Sequence, residues 1–146
     1  MVGRYRYVLV GWDGSAAAAE ALGVAVAIVV PRGHVVALSV IRASPRAEPG
    51  ADADRAQGRL QDEALEAFER LRRERGDVGG VRMTADAITG DDTRAGPAVC
   101  GYAAEHGFDL IVLGRCGENG GSTHLGRVAR AAALSSPVPV LLIGSR

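Results

Sequence analysis

Two short stretches hold the residues whose types and spacing could do chemistry. Residues 114–130, GRCGENGGSTHLGRVAR, place five glycines within thirteen positions, directly after the apolar run Asp109–Leu113. Glycine lets main-chain amides approach a ligand closely, and a helix start beyond it offers unpaired N–H groups and partial positive charge to an anion. An ordinary strand-to-helix connection takes roughly two to six residues and needs little glycine, so this stretch favours a phosphate-bearing ligand. The second stretch, GWDGS at 11–15, closes the first apolar run. Its Asp13 either faces a ligand or only shapes a turn ahead of a Ser15 N-cap.

Other chemistries fit less well. Ser122, His124 and Asp13 are the residue types of a hydrolase triad, but there is no GxSxG elbow, and Ser122 and His124 lie only two positions apart in a glycine-rich segment. Cys116 lies near a helix start, a setting that can lower a thiol pKa, whereas Cys100 reads as core. His34 and His106, at a strand start and a helix end, read as solvated or dipole-complementing groups rather than metal ligands. Neither GxxxxGK[ST] nor GxGxxG occurs. Every basic residue is Arg, which excludes a Schiff-base lysine, a lysine general base and a P-loop lysine.

These stretches need a frame to hold them. The chain has 146 residues, 47% hydrophobic and 23% charged, the balance of one domain over 1–146. Seventeen basic and seventeen acidic residues cancel, so neither nucleic acid nor an anionic membrane is the expected partner. Two cysteines build no disulfide framework or metal cage, and the N-terminal residues lack the pattern of a signal peptide. The most apolar stretch, Ala16–Val30, has 15 residues and contains Glu20, too short for a bilayer crossing. A cytoplasmic, reduced protein is expected.

Apolar, β-branched runs ending in turn residues predict strands at Arg4–Trp12, His34–Ile41, Val81–Ile88, Asp109–Leu113 and Val138–Ile143. Helices are predicted at Ser15–Val30, Gln57–Arg75, Asp92–His106 and Leu125–Leu134, the second with Leu60, Ala64, Phe68 and Leu71 on one face. The run ERLRRERG at 69–76 interleaves Glu with Arg and reads as a solvated face. Residues 42–56, with two prolines and a glycine, are expected to form a mobile surface loop. Alternating strands and helices imply a parallel sheet covered on both faces, whose ligands bind beyond the carboxyl ends of the strands. Prolines at 137 and 139 confine the last strand to an edge. A bare apolar edge invites pairing, so residues 138–143 are expected to form a two-fold homodimer.

Taken together, VGWDGS, VVALSVI, TGDD, DLIVLG, the glycine stretch and SPVPVLLI resemble the universal stress proteins over nearly the whole chain. The resemblance implies an α/β fold: a five-stranded doubly wound parallel sheet, Rossmann-like, order 3-2-1-4-5, with helices on both faces. It implies a regulatory, non-enzymatic stress-response protein that binds ATP, with Mg2+ on the phosphates, where the first and fourth strands part. The implied site comprises Gly11, Trp12 and Asp13 on the first loop and Val40 at the base. Gly114, Arg115, Gly117, Gly126, Arg127 and Val128 form the phosphate cradle. The family's ATP-binding branch carries G-x2-G-x9-G-[ST]. Here eight residues separate Gly117 from Gly126, and Arg127 stands at the hydroxyl position. Arg127 either pairs with phosphate as a bidentate donor or closes the crevice. In the second case the protein is a dimeric interaction module for a protein partner.

Overall fold

The computed structural model describes residues 5–42, 51–90, 94–115 and 126–144. Strands and helices alternate without exception: β1 (Tyr5–Gly11), α1 (Ala16–Ile28), β2 (Val29–Arg42), α2 (Ala51–Arg75), β3 (Arg82–Gly90), α3 (Ala95–His106), β4 (Leu110–Gly114), α4 (Arg127–Ser135) and β5 (Val140–Ile143). The strands form one sheet in the order β3-β2-β1-β4-β5, and all four pairings are parallel. The expected order and the edge position of the last strand are both observed.

Residue alternation along each strand builds two cores. Val8, Val10, Val35, Ala37 and Val112 face α1 and α2, where they pack with Leu22, Val26, Ala64 and Phe68. Leu9, Val36, Leu38, Ile111 and Leu113 face the other way, against Val99, Cys100 and Ala103 of α3 and Ala132 of α4. Fully burying each large aliphatic side chain is worth about 1.5–3 kcal/mol. Cys100 is buried as expected, and desolvation pushes its thiol up from the usual value.

Local chemistry sets the element ends. Ser15 caps α1, its Oγ accepting from the Ala18 amide at 3.1 Å. Gly107 ends α3 in the left-handed region at φ 70°, which its missing side chain permits. β5 starts two residues later than expected, at Val140, because Pro137 and Pro139 precede it, and α1 ends at Ile28; two boundaries differ by more. Residues 51–56 are the first turns of α2 rather than loop, because the helix-breaking prolines and glycine all precede Ala51; residues 43–50 lie outside the described residues. β2 begins at Val29, not His34. Its start is irregular: the register with β1 shifts between the Tyr5–Val29 and Tyr7–His34 pairs, and Arg32 there has φ 63° and donates its amide to Gly79 O at 2.8 Å. No helix of the described residues is long and apolar enough to cross a membrane.

Candidate functional site

The sheet opens where its strand order reverses. β1 pairs with β4 only as far as Val10 and Val112, and the two strands then turn to different neighbours. The Trp12 amide donates to Leu38 O of β2 at 2.8 Å, while the Arg115 amide donates to Ile143 O of β5 at 2.8 Å. The strands therefore part beyond Val10 and Val112, between the segments 11–15 and 114–115, at the carboxyl ends where open α/β sheets take their ligands.

The first wall is a tightly specified turn. Ser39, buried within β2, donates its hydroxyl to the Trp12 carbonyl at 2.9 Å. Asp13 is exposed, and its Oδ1 accepts from the Ser15 amide at 2.9 Å. This is the turn role foreseen for it. Gly14 has φ 80°, and a Cβ there would stand 2.8 Å from Glu63 Oε2 of α2, so α2 abuts the turn. Val40 lies on β2 two residues past the Trp12 contact, half-buried and level with Ile88.

The opposite wall is built from backbone. A side chain at Gly114 would lie 2.8 Å from Ala17 Cβ and 3.2 Å from that residue's carbonyl carbon, so glycine lets the end of β4 approach the first turn of α1. The Gly126 amide donates to Arg115 O at 2.8 Å, which brings the start of α4 back to the end of β4. Gly126 is the N-cap of α4, with no side-chain cap bond and no acidic residue in the first turn. The amides of Arg127 and Val128 thus begin a helix whose first-turn N–H groups and positive end are of the kind that receives an anion. Gly96 sets the position of that helix: a Cβ there would meet Ala131 Cβ at 2.2 Å, so α3 and α4 cross at backbone distance. The Arg127 and Arg115 side chains are exposed.

Gly11, Trp12, Asp13, Val40, Gly114, Arg115, Gly126, Arg127 and Val128 are accordingly gathered at one end of the sheet, on β1, β2, β4 and α4. Gly117 lies outside the described residues, as do Cys116, Ser122, Thr123 and His124. Sequence reasoning missed Ser39, Glu63 and Ala17. A hydroxyl inside the apolar run VVALSVI was the available signal for Ser39; nothing local marked the other two. His34 is not simply solvated: its Nε2 is 2.8 Å from Thr84 Oγ1, and Arg82 reaches its Nδ1 at 3.4 Å. Both contacts lie at the other end of the sheet. His106 matches its reading, in the last turn of α3 with Nδ1 at 3.0 Å from Tyr102 O.

The model of the universal stress protein family matches residues 4–144. Comparison with curated protein sequences gives no significant match. Among solved structures, the chain is similar to the universal stress protein UspA from Lactobacillus plantarum, with 27% identity, TM-score 0.66, and coverage of 97% of this chain and 99% of that chain. It is also similar to a universal stress protein in complex with cAMP, at 22% identity and TM-score 0.61 over 97% and 98% of the two chains. An Arabidopsis thaliana family member with AMP bound shares 18% identity at TM-score 0.63, over 96% and 92%.

Proposed function

The chain belongs to the universal stress protein family, and from that premise we propose that it is a regulatory protein that binds an adenine nucleotide, ATP in particular, where β1 and β4 part. One observation carries this reading: where β1 and β4 part, the glycine-capped start of α4 is held beside β4 by the bond from Gly126 to Arg115. Such an end accepts phosphate. The cAMP and AMP held by fold neighbours support the adenine class. Arg127 is exposed at the first position of α4, which favours a phosphate partner over a plug in the crevice.

In this reading, the nucleotide's phosphates supply most ligands of a divalent cation, as Mg2+ sites commonly do. Among the described residues, no group of three or more His, Cys, Asp or Glu is assembled to hold a metal. Asp13 is the acidic residue of the turn. Occupancy, rather than turnover, is the output; phosphate release above a buffer blank would contradict that.

We also propose a two-fold homodimer through residues 138–143. The two sheet edges differ. On the outer edge of β3, Gln61 Nε2 donates to Ala85 O at 3.4 Å and the Ala87 amide donates to Asp86 Oδ1 at 2.8 Å, so side chains occupy groups that a further strand would use. The outer main-chain groups of β5 carry no such side-chain bond among the described residues, and Leu141 and Leu134 beside it are 36% and 79% exposed. A monomeric mass at micromolar concentration would overturn the dimer.

Thermal unfolding with Mg-ATP, Mg-AMP and Mg-GTP, on the native chain and Arg127→Ser, tests the nucleotide reading. Ligand at a hundredfold over Kd adds about 2.7 kcal/mol, roughly 5–10 °C for a chain of this size. The native protein should respond to ATP. A response only in Arg127→Ser would make Arg127 the closure of the site, and no response in either would leave the interaction module.

A further inference from the structure

Trp12 is the single tryptophan of the chain, and it is 6% exposed. Its indole Nε1 is buried with no hydrogen-bond partner among the described residues. An indole nitrogen can only donate, and a buried donor without an acceptor forfeits the bond that water would have made. Native proteins leave few such groups, and each needs a reason. Ser39 beside it is the contrasting case, equally buried but bonded through its hydroxyl to the Trp12 carbonyl.

The placement of Trp12 supplies the reason. Val10 and Val112 form the last pair of β1 with β4, so Trp12 and Gly114, each two residues on, are level across the opening. Alternation puts both on the α1 side of the sheet. There Gly114 lies against Ala17, and Trp12 joins the core between the sheet and helices α1 and α2. The tryptophan backbone is fixed on both sides, its amide by Leu38 O and its carbonyl by Ser39. Where β1 and β4 part, one strand is thus followed by a large side chain that carries an unmet donor, and the other ends on a glycine.

Resting on the nucleotide reading above, we propose that Trp12 is a specificity-determining residue of that site: its indole N–H, unpartnered in the free protein, donates to an acceptor of the bound adenine nucleotide. That acceptor is a ring nitrogen of the base or a ribose oxygen. The proposal explains why the turn holds its largest residue with the polar atom unsatisfied.

Because there is one tryptophan, replacing it biosynthetically with β-(3-benzothienyl)alanine changes only position 12 and exchanges N–H for sulfur at nearly constant shape. Thermal unfolding of the free protein and calorimetric binding of Mg-ATP are then compared with the native chain. Adenine analogues lacking N1, N3 or N7, and sugars lacking the 2′ or 3′ hydroxyl, complete the series. Removing an unmet buried donor should raise the melting temperature of the free protein by roughly 2–6 °C, while ATP binds about tenfold more weakly. One analogue should lose affinity for the native chain but not for the replaced one, as coupled partners do. A lower melting temperature, unchanged ATP affinity, or no coupled analogue would each overturn the proposal. Failure of the native chain to bind any adenine nucleotide would instead remove the functional reading itself, and this inference with it.

Discussion

The two ends of the sheet are held by different parts of the residues. At the amino end, side chains do the joining. Asp109 Oδ2 accepts from the amides of Arg6 and Tyr7 at 2.8 and 3.0 Å, clamping the start of β1 to the start of β4. Tyr7 stacks on Phe108 at 3.8 Å between ring centres, and His34 joins Thr84. The network continues along α3, where Tyr102 stacks on His106 and bonds to Asp86. At the carboxyl end, the Ser39 hydroxyl and the Asp13 carboxylate shape the turn after β1, but the joins from Trp12 to β2, from Arg115 to β5 and from Gly126 to Arg115 are main chain to main chain, and glycines allow the approach. The contrast separates two tasks: side-chain networks close the fold, while an end left rich in backbone donors stays open to a ligand.

The strongest challenge to this division is Gly114→Val. With Ala17 backbone atoms 3.2 and 3.3 Å from the added Cβ, the substitution should cost about 3 kcal/mol by overpacking and abolish the ATP-induced thermal shift. Urea unfolding with and without nucleotide measures both; a stable variant that still responds to ATP would show that the opening does not depend on this contact. Asp109→Ala comes next. Loss of its two amide bonds should remove roughly 1–2 kcal/mol but leave the ATP-induced shift at its native size. A diminished shift would mean that the two ends are coupled.

Tyr102→Phe should cost about 1 kcal/mol, and it also sharpens the alkaline limb of the stability profile. Burial first, then the bond and charge of Asp86, hold the Tyr102 phenol well above its ordinary range. Its contribution is therefore full below about pH 10 and lost as pH rises through the raised value; the variant should show a flatter alkaline limb. The smallest effect concerns His34. Burial first, and Arg82 second, lower its pKa, consistent with a neutral ring accepting from Arg82 at Nδ1 and donating to Thr84 from Nε2. That stability is present above about pH 6.5 and lost as pH falls through the lowered value. His34→Gln should flatten the melting-temperature profile between about pH 7.5 and 5. An identical slope in both proteins would detach His34 from acid sensitivity.

How much of this was legible follows the range of each interaction. Period-two runs such as RYRYVLVG carry their own signal, so the five strands could be placed from sequence, with family resemblance supplying their order. The glycine stretch and WDGS were equally local, which is why both segments could be singled out in advance as candidates. Residues 51–56 were misplaced because Pro45, Pro49 and Gly50 colour the composition of their neighbours, although a helix can resume directly after such breakers. Contacts across long separations left no local trace. Asp109 reaches residues more than a hundred positions earlier, Gly96 is glycine because of Ala131, and the unmet N–H of Trp12 exists only once the core has closed around it.

The single bond from Gly126 to Arg115 also bears on how such a protein tolerates change. It joins the end of β4 to the start of α4 directly, so the relative placement of these two elements has a contact that does not run through the residues between them. By loop-closure entropy, one residue more or less in a segment of this length changes the free energy by only about 0.1 kcal/mol. The eight-residue spacing between Gly117 and Gly126, where the ATP-binding pattern has one residue more, is then a nearly neutral deletion. A direct contact of this kind makes the sheet beneath less dependent on the length of the connection above it.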